Sequence, residues 1–410
     1  MLGLIIFSIF SIGLLKDYGK WLCITIIWLP FLGSIILWGQ NVATFIGCFA
    51  CVLFFINKRK KSIKGQFPLT ISLLLIISAN LVTNYFASEK HTPTMISGLL
   101  NGCLFIVLFY YIFIEDKYRL LPIFLRNCVL FSAIVGFYSV YETLTGSNPI
   151  METLFNNGWL NYDKLITDVR FGMKRSQSIF TMHTTNGAVA TEMFVLMLGG
   201  ILSGCIKKVK INYLILASLL FTVFACGARS AIIALVICSF TYLNIQVLNF
   251  KRLLGVTLIV IVAYIALGSY FDAIINSFLN TESVGGSNKD MRQIQLELAL
   301  MFFQESPIYG NGIAYCGTHV MGVYKEMAGA ESMWFPIMID TGLLGVIGYT
   351  LFFVSNIRYC IKEKKPYLIF FVLGFLTFNT MSSIPGFTVT WIFPILVVLM
   401  QMNLKKHIQH

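Results

Sequence analysis

The chain has 410 residues, of which 57% are hydrophobic and only 12% charged, with a mean hydropathy of +0.79. Soluble domains carry roughly 25% charged residues, so this chain cannot clothe a water-facing surface, and the two or three soluble domains that length alone suggests are excluded. The formal charge of +12 points away from nucleic acid, because the basic residues fall in alternate short loops between apolar runs.

Those loops hold Lys16 and Lys20, then the cluster from Lys58 to Lys64, then Lys117 and Arg119, and later Lys207, Lys208 and Lys210. Lys251 and Arg252 follow, then Arg358, Lys362, Lys364 and Lys365, and finally Lys405 and Lys406. With Arg126, one side gathers 21 of the 30 basic residues and only four acidic ones. Lys/Arg-rich loops stay cytoplasmic, so the pattern is a topology signal.

A span needs about 20 apolar residues. The runs predict spans near residues 2–15, 21–38, 41–56, 67–87, 96–114, 122–144, 184–206, 211–226, 230–247, 253–271, 332–355, 366–382 and 387–403. The fold class is therefore all-α, a polytopic integral membrane helical bundle that forms a single membrane domain over 1–410. Residues 2–15 lack a basic leader and a small-residue cleavage site, so they read as a retained span and not a signal segment. Charge alternation sets the C-terminus in the cytoplasm and the N-terminus outside. Most of the ten cysteines, such as Cys48, Cys51, Cys103 and Cys238, sit inside apolar runs and read as small buried hydrophobes. Cys316 is the exception, in an outer loop.

Two connections, 145–183 and 272–331, are far longer than the rest, and both fall on the non-cytoplasmic side. Long loops are uncommon unless functional. The first contains Trp159, Tyr162, Asp163, Asp168, Arg170, Lys174, Arg175 and His183. The second opens with a polar glycine-rich stretch and continues as an amphipathic helix over 290–303. Ile294, Leu298, Met301 and Phe302 form its apolar stripe. Ser287 and Asp290 suit its start, and Pro307 with Gly310 stops it. Such a helix lies on the membrane surface or caps the bundle.

Residues 211–245 are apolar apart from a break at Cys226-Gly227-Ala228-Arg229-Ser230, so they predict a helical hairpin turning at the outer face. Arg229 at that turn is either an interfacial anchor or an anion-binding group. Ser230 begins the next helix, where free N–H groups also favour anions. Arg292 is either a solvated face of the loop helix or a second anion ligand. Arg170 and Arg175, with Lys174, are candidates for a phosphate-binding patch.

His183, before Thr184-Thr185-Asn186-Gly187, and His319, after Gly317-Thr318, are structural or catalytic. No metal-ligand spacing joins them, so neither a zinc site nor another cofactor is expected. Glu331 lies at the outer mouth of a span and Asp340 deeper in the same span. A carboxylate near outward-facing arginines suits acceptance of a hydroxyl proton, and Glu192 and Glu142 are further candidates of that type. Trp334, Asn186 and Trp159 are candidates for holding an acceptor glycan. Together these groups suit a lipid-linked anionic substrate, with the lipid between helices and the diphosphate against arginines.

Three segments carry a family resemblance. Cys226-Gly227-Ala228-Arg229-Ser230-Ala231 is similar to a Ser-Arg-Gly/Ser turn heading an apolar helix. Met291-Arg292, followed by Phe303-Gln304-Glu305-Ser306-Pro307-Ile308-Tyr309-Gly310-Asn311-Gly312, is similar to an Arg-containing helix ending in a Pro-hydrophobic-x-Gly-x-Gly turn. Glu331-Ser332 with Asp340-Thr341-Gly342-Leu343-Leu344-Gly345 looks like the segment that closes a large outer loop. Arg170-Phe171-Gly172 with Ser178-Ile179-Phe180 and Thr185-Asn186 resembles a fourth stretch, with Thr185 where proline is usual. In order and spacing the chain resembles the bacterial O-antigen ligase and polymerase superfamily of polysaccharide enzymes.

That resemblance implies that Arg229 and Arg292 bind the diphosphate of an undecaprenyl-diphosphate-linked oligosaccharide, in metal-independent glycosyl transfer. Ligases of the family usually carry His-Asn where this chain has Glu331-Ser332. The expectation is therefore a polymerase of the bacterial cytoplasmic (inner) membrane, serving O-antigen, capsule or exopolysaccharide synthesis, with a chain-length regulator protein as a candidate partner. The alternatives are an O-antigen ligase and a flippase or transporter of the lipid-linked glycan. Transporters of this kind show matched pairs of interrupted spans in two halves, and none is evident here.

Overall fold

The computed structural model describes residues 1–58, 66–160, 169–170, 173–242, 289–327, 329–382 and 387–402. The predicted span 253–271 and the opening of the second long loop lie outside the described residues. The first helices are α1 (Leu2–Lys16), α2 (Tyr18–Leu32), α3 (Val42–Lys58), α4 (Thr70–Phe86), α5 (Thr92–Glu115, with a π turn at Leu100–Leu104) and α6 (Lys117–Thr145). After them come a short α7 (Pro149–Asn156), α8 (His183–Leu202), α9 (Lys210–Ala225) and α10 (Arg229–Ser239). The loop helix α11 (Lys289–Glu305) precedes α12 (Trp334–Lys362), α13 (Ile369–Met381) and α14 (Phe387–Gln401). Among the described residues α5, α6, α8 and α12 are long and apolar enough to cross a membrane, and eight more apolar helices have 10–17 residues. The protein is an all-α membrane bundle. Its β structure, among the described residues, is confined to two short antiparallel hairpins, Ile36–Leu37 with Gln40–Asn41 and Val169–Arg170 with Met173–Lys174.

Several boundaries differ from expectation. The span predicted over 21–38 stops at Leu32, behind Pro30, and the chain turns through the first hairpin with Trp38 and Gly39 at positive φ. The span predicted over 184–206 ends at Leu202, and that over 230–247 is helical to Ser239. Cys48 is exposed and Cys51 half-buried on α3, so neither is the buried thiol that its apolar run suggests.

Aromatic and aliphatic side chains fill the bundle, with Phe105, Phe109, Phe124, Phe131, Phe371 and Phe375 fully buried. Large apolar residues on outer faces, such as Ile5, Ile9 and Ile12 of α1 and Ile71 and Leu74 of α4, are exposed. In a membrane those faces meet lipid, which is as apolar as they are.

Charged loops meet in space. Arg119 donates to Asp17 (2.8 Å) and to Asp116 (2.5 Å), tying the α1–α2 loop to the start of α6. Asp17 also caps α2 by accepting from the Lys20 amide at 3.1 Å. The Lys365 ammonium donates to the carbonyl of Met400, at the end of α14. At the opposite ends of the helices, the Ile36 amide donates to the carbonyl of Trp159 (3.0 Å), so the first long loop rests on the hairpin after α2.

One span is interrupted. Helix α12 reads from sequence as continuous, but Gly342 has φ +61° and breaks it. A broken helix leaves carbonyls and amides without partners, which is costly out of water. The Pro307–Gly312 turn takes them up. Asn311 and Gly312 amides donate to the carbonyls of Ile339 (2.9 Å) and Asp340 (3.2 Å), and Leu343 and Leu344 amides donate to those of Pro307 (2.8 Å) and Ile308 (3.1 Å). The approach is close: a Cβ on Gly342 would stand 2.6 Å from the Gly310 nitrogen. The glycines of these two segments therefore serve docking.

Helix α11 packs along α12 by a face rotated from the predicted stripe, which keeps Phe302 and, in part, Leu298 inward. Gln295, Ala299 and Phe302 are buried, whereas Ile294 and Met301 of the predicted stripe are exposed. The Gln295 side chain donates to the Glu326 carbonyl (2.8 Å) and accepts from the Glu331 amide (3.1 Å). The buried face combines the Gln295 hydrogen bonds to the loop with an apolar cluster of Ala299, Phe302, Cys316, Val320, Met327 and Ile339.

Candidate functional site

A cavity of about 240 Å³ opens where the beginnings of α8 and α10 meet α11, the start of α12 and the end of α13. Arg175, His183, Arg229, Ser230, Arg292 and Glu331 all line it. Drug-sized ligands occupy roughly 300–1,000 Å³, so the space suits a small charged group with the rest of its molecule outside. Two helix N-termini, at His183 and Arg229, border it, and such ends favour anions.

The α9–α10 turn fixes Arg229. Helix α9 ends at Ala225, Gly227 takes φ +62°, and α10 begins at Arg229. Arg229 is 8% exposed and Ser230 is buried, its hydroxyl 2.5 Å from that of Ser382.

Arg175 does two things. The residue lines the cavity, and its Nε and Nη2 donate to the carbonyls of Cys226 (2.9 Å) and Gly227 (3.4 Å). A cation on the last carbonyls of a helix is favourable. The Ser176 amide adds a bond to the Ala225 carbonyl at 3.0 Å.

On the opposite wall, Arg292 Nε donates to Glu331 Oε2 at 2.6 Å. Both residues are partly exposed. The acid predicted as a base and the arginine predicted as an anion ligand are thus partners of each other.

Other expected residues lie elsewhere. His319 stacks on Tyr315 (4.7 Å between centroids) and faces Glu89 at 3.5 Å, outside the cavity lining. Asp340 accepts from the Cys316 amide at 2.7 Å, so it serves the loop backbone beside the helix break. The Trp334 indole donates to Thr380 (3.1 Å), and Trp159 packs on the core beside the first hairpin. Asn186 is fully buried and donates to Ser139 (3.2 Å) and the Ser176 carbonyl (3.1 Å), a framework position. Arg170 lies in the second hairpin, and Tyr162, Asp163 and Asp168 lie outside the described residues. Glu192 is buried in α8, nine residues and so about 13 Å along the helix from His183.

Glu142, at the end of α6, is fully buried and gathers donors from the segment that follows Arg175: Ser176, Gln177 and Ser178. Sequence reasoning ranks it with the proton acceptors. Among the described residues its carboxylate bonds to donors, and it does not line the cavity.

Chemically, the described lining residues bring three arginines and two helix N-termini together with one carboxylate and one imidazole. That set can hold a multiply charged anion and accept one proton beside it.

No curated protein matches the chain. Residues 214–350, which include Arg229, Arg292, Glu331 and the broken α12, match the family model described as O-antigen ligase. Over that segment the chain is similar to the O-antigen ligase family.

Proposed function

We propose that this protein is a polysaccharide polymerase of the bacterial cytoplasmic membrane, acting at its outer face on undecaprenyl-diphosphate-linked repeat units. The observation that carries the reading is the convergence of Arg175, Arg229 and Arg292 with Glu331 and His183 around one small cavity. A sugar hydroxyl of one repeat unit attacks the anomeric carbon of a chain held on the lipid diphosphate. The bond from that carbon to the diphosphate oxygen breaks, a glycosidic bond forms, and the hydroxyl proton passes to Glu331, with His183 as the second candidate base.

Charge grows on the departing diphosphate, and the arginines meet it there. The Arg292–Glu331 pair gives the two steps an order. An arriving diphosphate competes for Arg292, and Glu331 is released to accept the proton only when the donor is bound. On this reading the lipid tail lies against apolar helix faces and the glycan extends outside, and the small volume of the cavity supports it.

The ligase reading is favoured by the description of the matching family. A gene deletion separates the two readings. Loss of a polymerase leaves single repeat units on the surface acceptor, whereas loss of a ligase leaves long polymer on the lipid carrier. The direct test supplies purified protein with a lipid-linked repeat unit and no ion gradient. Lengthening of the glycan is expected. Translocation without lengthening would indicate a transporter instead.

A further inference from the structure

Glu142 is not part of the cavity, yet its contacts run to it in an unbroken series. Its Oε2 accepts from the amides of Gln177 (2.9 Å) and Ser178 (2.7 Å) and from the Ser176 hydroxyl (2.9 Å). Its Oε1 accepts from Asn148 Nδ2 at 2.9 Å, and the Lys174 ammonium stands 3.7 Å away. Asn148 closes the ring by donating to the Ser178 carbonyl at 2.8 Å. One carboxylate thereby fixes the strand of chain from Lys174 to Ser178. From that strand, the Ser176 amide and the Arg175 guanidinium hold the carbonyls of Ala225, Cys226 and Gly227. Those three residues end α9 and set where α10 begins, and α10 begins with Arg229 and Ser230.

We propose that Glu142 is a positioning residue, which sets the location of Arg175 and Arg229 in the cavity through the 174–178 strand. The proposal rests on the reading that Arg229 meets the diphosphate. The chemistry of the hub is specific. Its side-chain partners among the described residues are donors, so a group that accepts throughout satisfies them. A glutamine of the same shape turns a donor toward either the Gln177 and Ser178 amides or the Asn148 amide. The strand then shifts, and the two arginines shift with it. Misplacement of a catalytic group by about 1 Å costs on the order of 10²-fold in rate.

The test is a double-mutant cycle in the reconstituted elongation assay. Glu142→Gln is expected to lower kcat by about ten- to a hundredfold while the KM for the lipid-linked donor changes less than about threefold. On an Arg229→Lys background the same change is expected to cost no more than about threefold, because the geometry it protects is already lost. Multiplicative losses in the double mutant, or an unchanged kcat in Glu142→Gln, would overturn the proposal. Should Glu142→Gln not accumulate in membranes, Ser176→Ala replaces it. That variant removes one bond to the carboxylate and keeps the backbone, and its smaller loss must show the same coupling to Arg229, or the proposal fails. Failure of the underlying reading looks different: Arg229→Lys alone would then elongate at the normal rate.

Discussion

The wall that carries Arg175 and Arg229 is tied to the bundle by buried hydrogen bonds, whereas the wall that carries Arg292 and Glu331 is a docked loop helix with a partly exposed ion pair. The first is over-determined: a fully buried carboxylate, a strand and a helix end hold one another. The second depends on Gln295, on backbone bonds at the α12 break and on a pair that water can reach. Buried polar networks rigidify when every member is satisfied. Half-exposed ion pairs contribute little to stability, about 0–1 kcal/mol, and can be exchanged for another partner. A fixed wall suits stabilisation of charge in the transition state, and an adjustable one suits recognition of the donor.

The sharpest way to break this contrast is to change the arginine of each wall. Arg229→Ala is expected to lower elongation by about 10²–10³, corresponding to about 3–4 kcal/mol of barrier, with the protein still inserted. Arg292→Ala is also expected to abolish most chain lengthening. The lysine variants should separate the walls. A buried fork bound to a turn is not replaced by a point charge, so Arg229→Lys should stay slow, and Arg292→Lys should recover part of the rate. Equal recovery in both would erase the distinction. Polymer of normal length from both alanine variants would remove the mechanism itself.

Glu331→Gln comes next. As a general base the carboxylate contributes about 10²-fold or more. Its ion pair with Arg292 should contribute under about 1 kcal/mol to stability, since both members are partly exposed. The expected outcome is a large loss of rate with an almost unchanged melting temperature. A large drop in melting temperature would make Glu331 a structural anchor.

Gly342→Ala tests the docking of the second wall. The residue needs φ +61°, and its Cβ would meet the backbone of Gly310. Strain of this kind costs on the order of 1–3 kcal/mol. Lower thermal stability is expected, together with slower elongation per folded molecule. Unchanged values of both would mean that the α12 break does not carry the loop.

The helices and the order of charged loops were legible in the sequence, because lipid demands long apolar runs and charge marks the loops between them. Arg229 was legible for the same reason: a cation inside an apolar hairpin stands out. What stayed hidden depends on partners distant in sequence. Glu142 reads as one more acid at a span end, and only the fold brings the amides of 177 and 178 to it. Asp340 reads as an intramembrane carboxylate, but the helix break brings the Cys316 amide to it. Of the predicted α11 stripe, Phe302 and Leu298 pack inward while Ile294 and Met301 stay exposed, because Gln295 bonds to Glu326 and Glu331 on the buried face.

The smallest effect is also the most direct report on the second wall. Cys316 lies in the loop beside the α12 break, and it is buried while Cys205 is exposed. Burial pushes the Cys316 thiol up to about 12, and the Asp340 carboxylate adds to the rise. The thiolate is the reactive form. From an ordinary value of 9.0 to about 12, the thiolate fraction at neutral pH falls by about a thousandfold. A maleimide should therefore label Cys205 quickly and Cys316 hardly at all near pH 7.5. If the loop undocks, Cys316 loses both its burial and its neighbour, and labelling should accelerate. Gly342→Ala should accelerate it strongly and Arg292→Ala weakly. Glu142→Gln, which loosens only the first wall, should leave it unchanged. Acceleration by Glu142→Gln equal to that by Gly342→Ala would mean that the two walls move as one body, and the division between a fixed and an adjustable side would have to be given up.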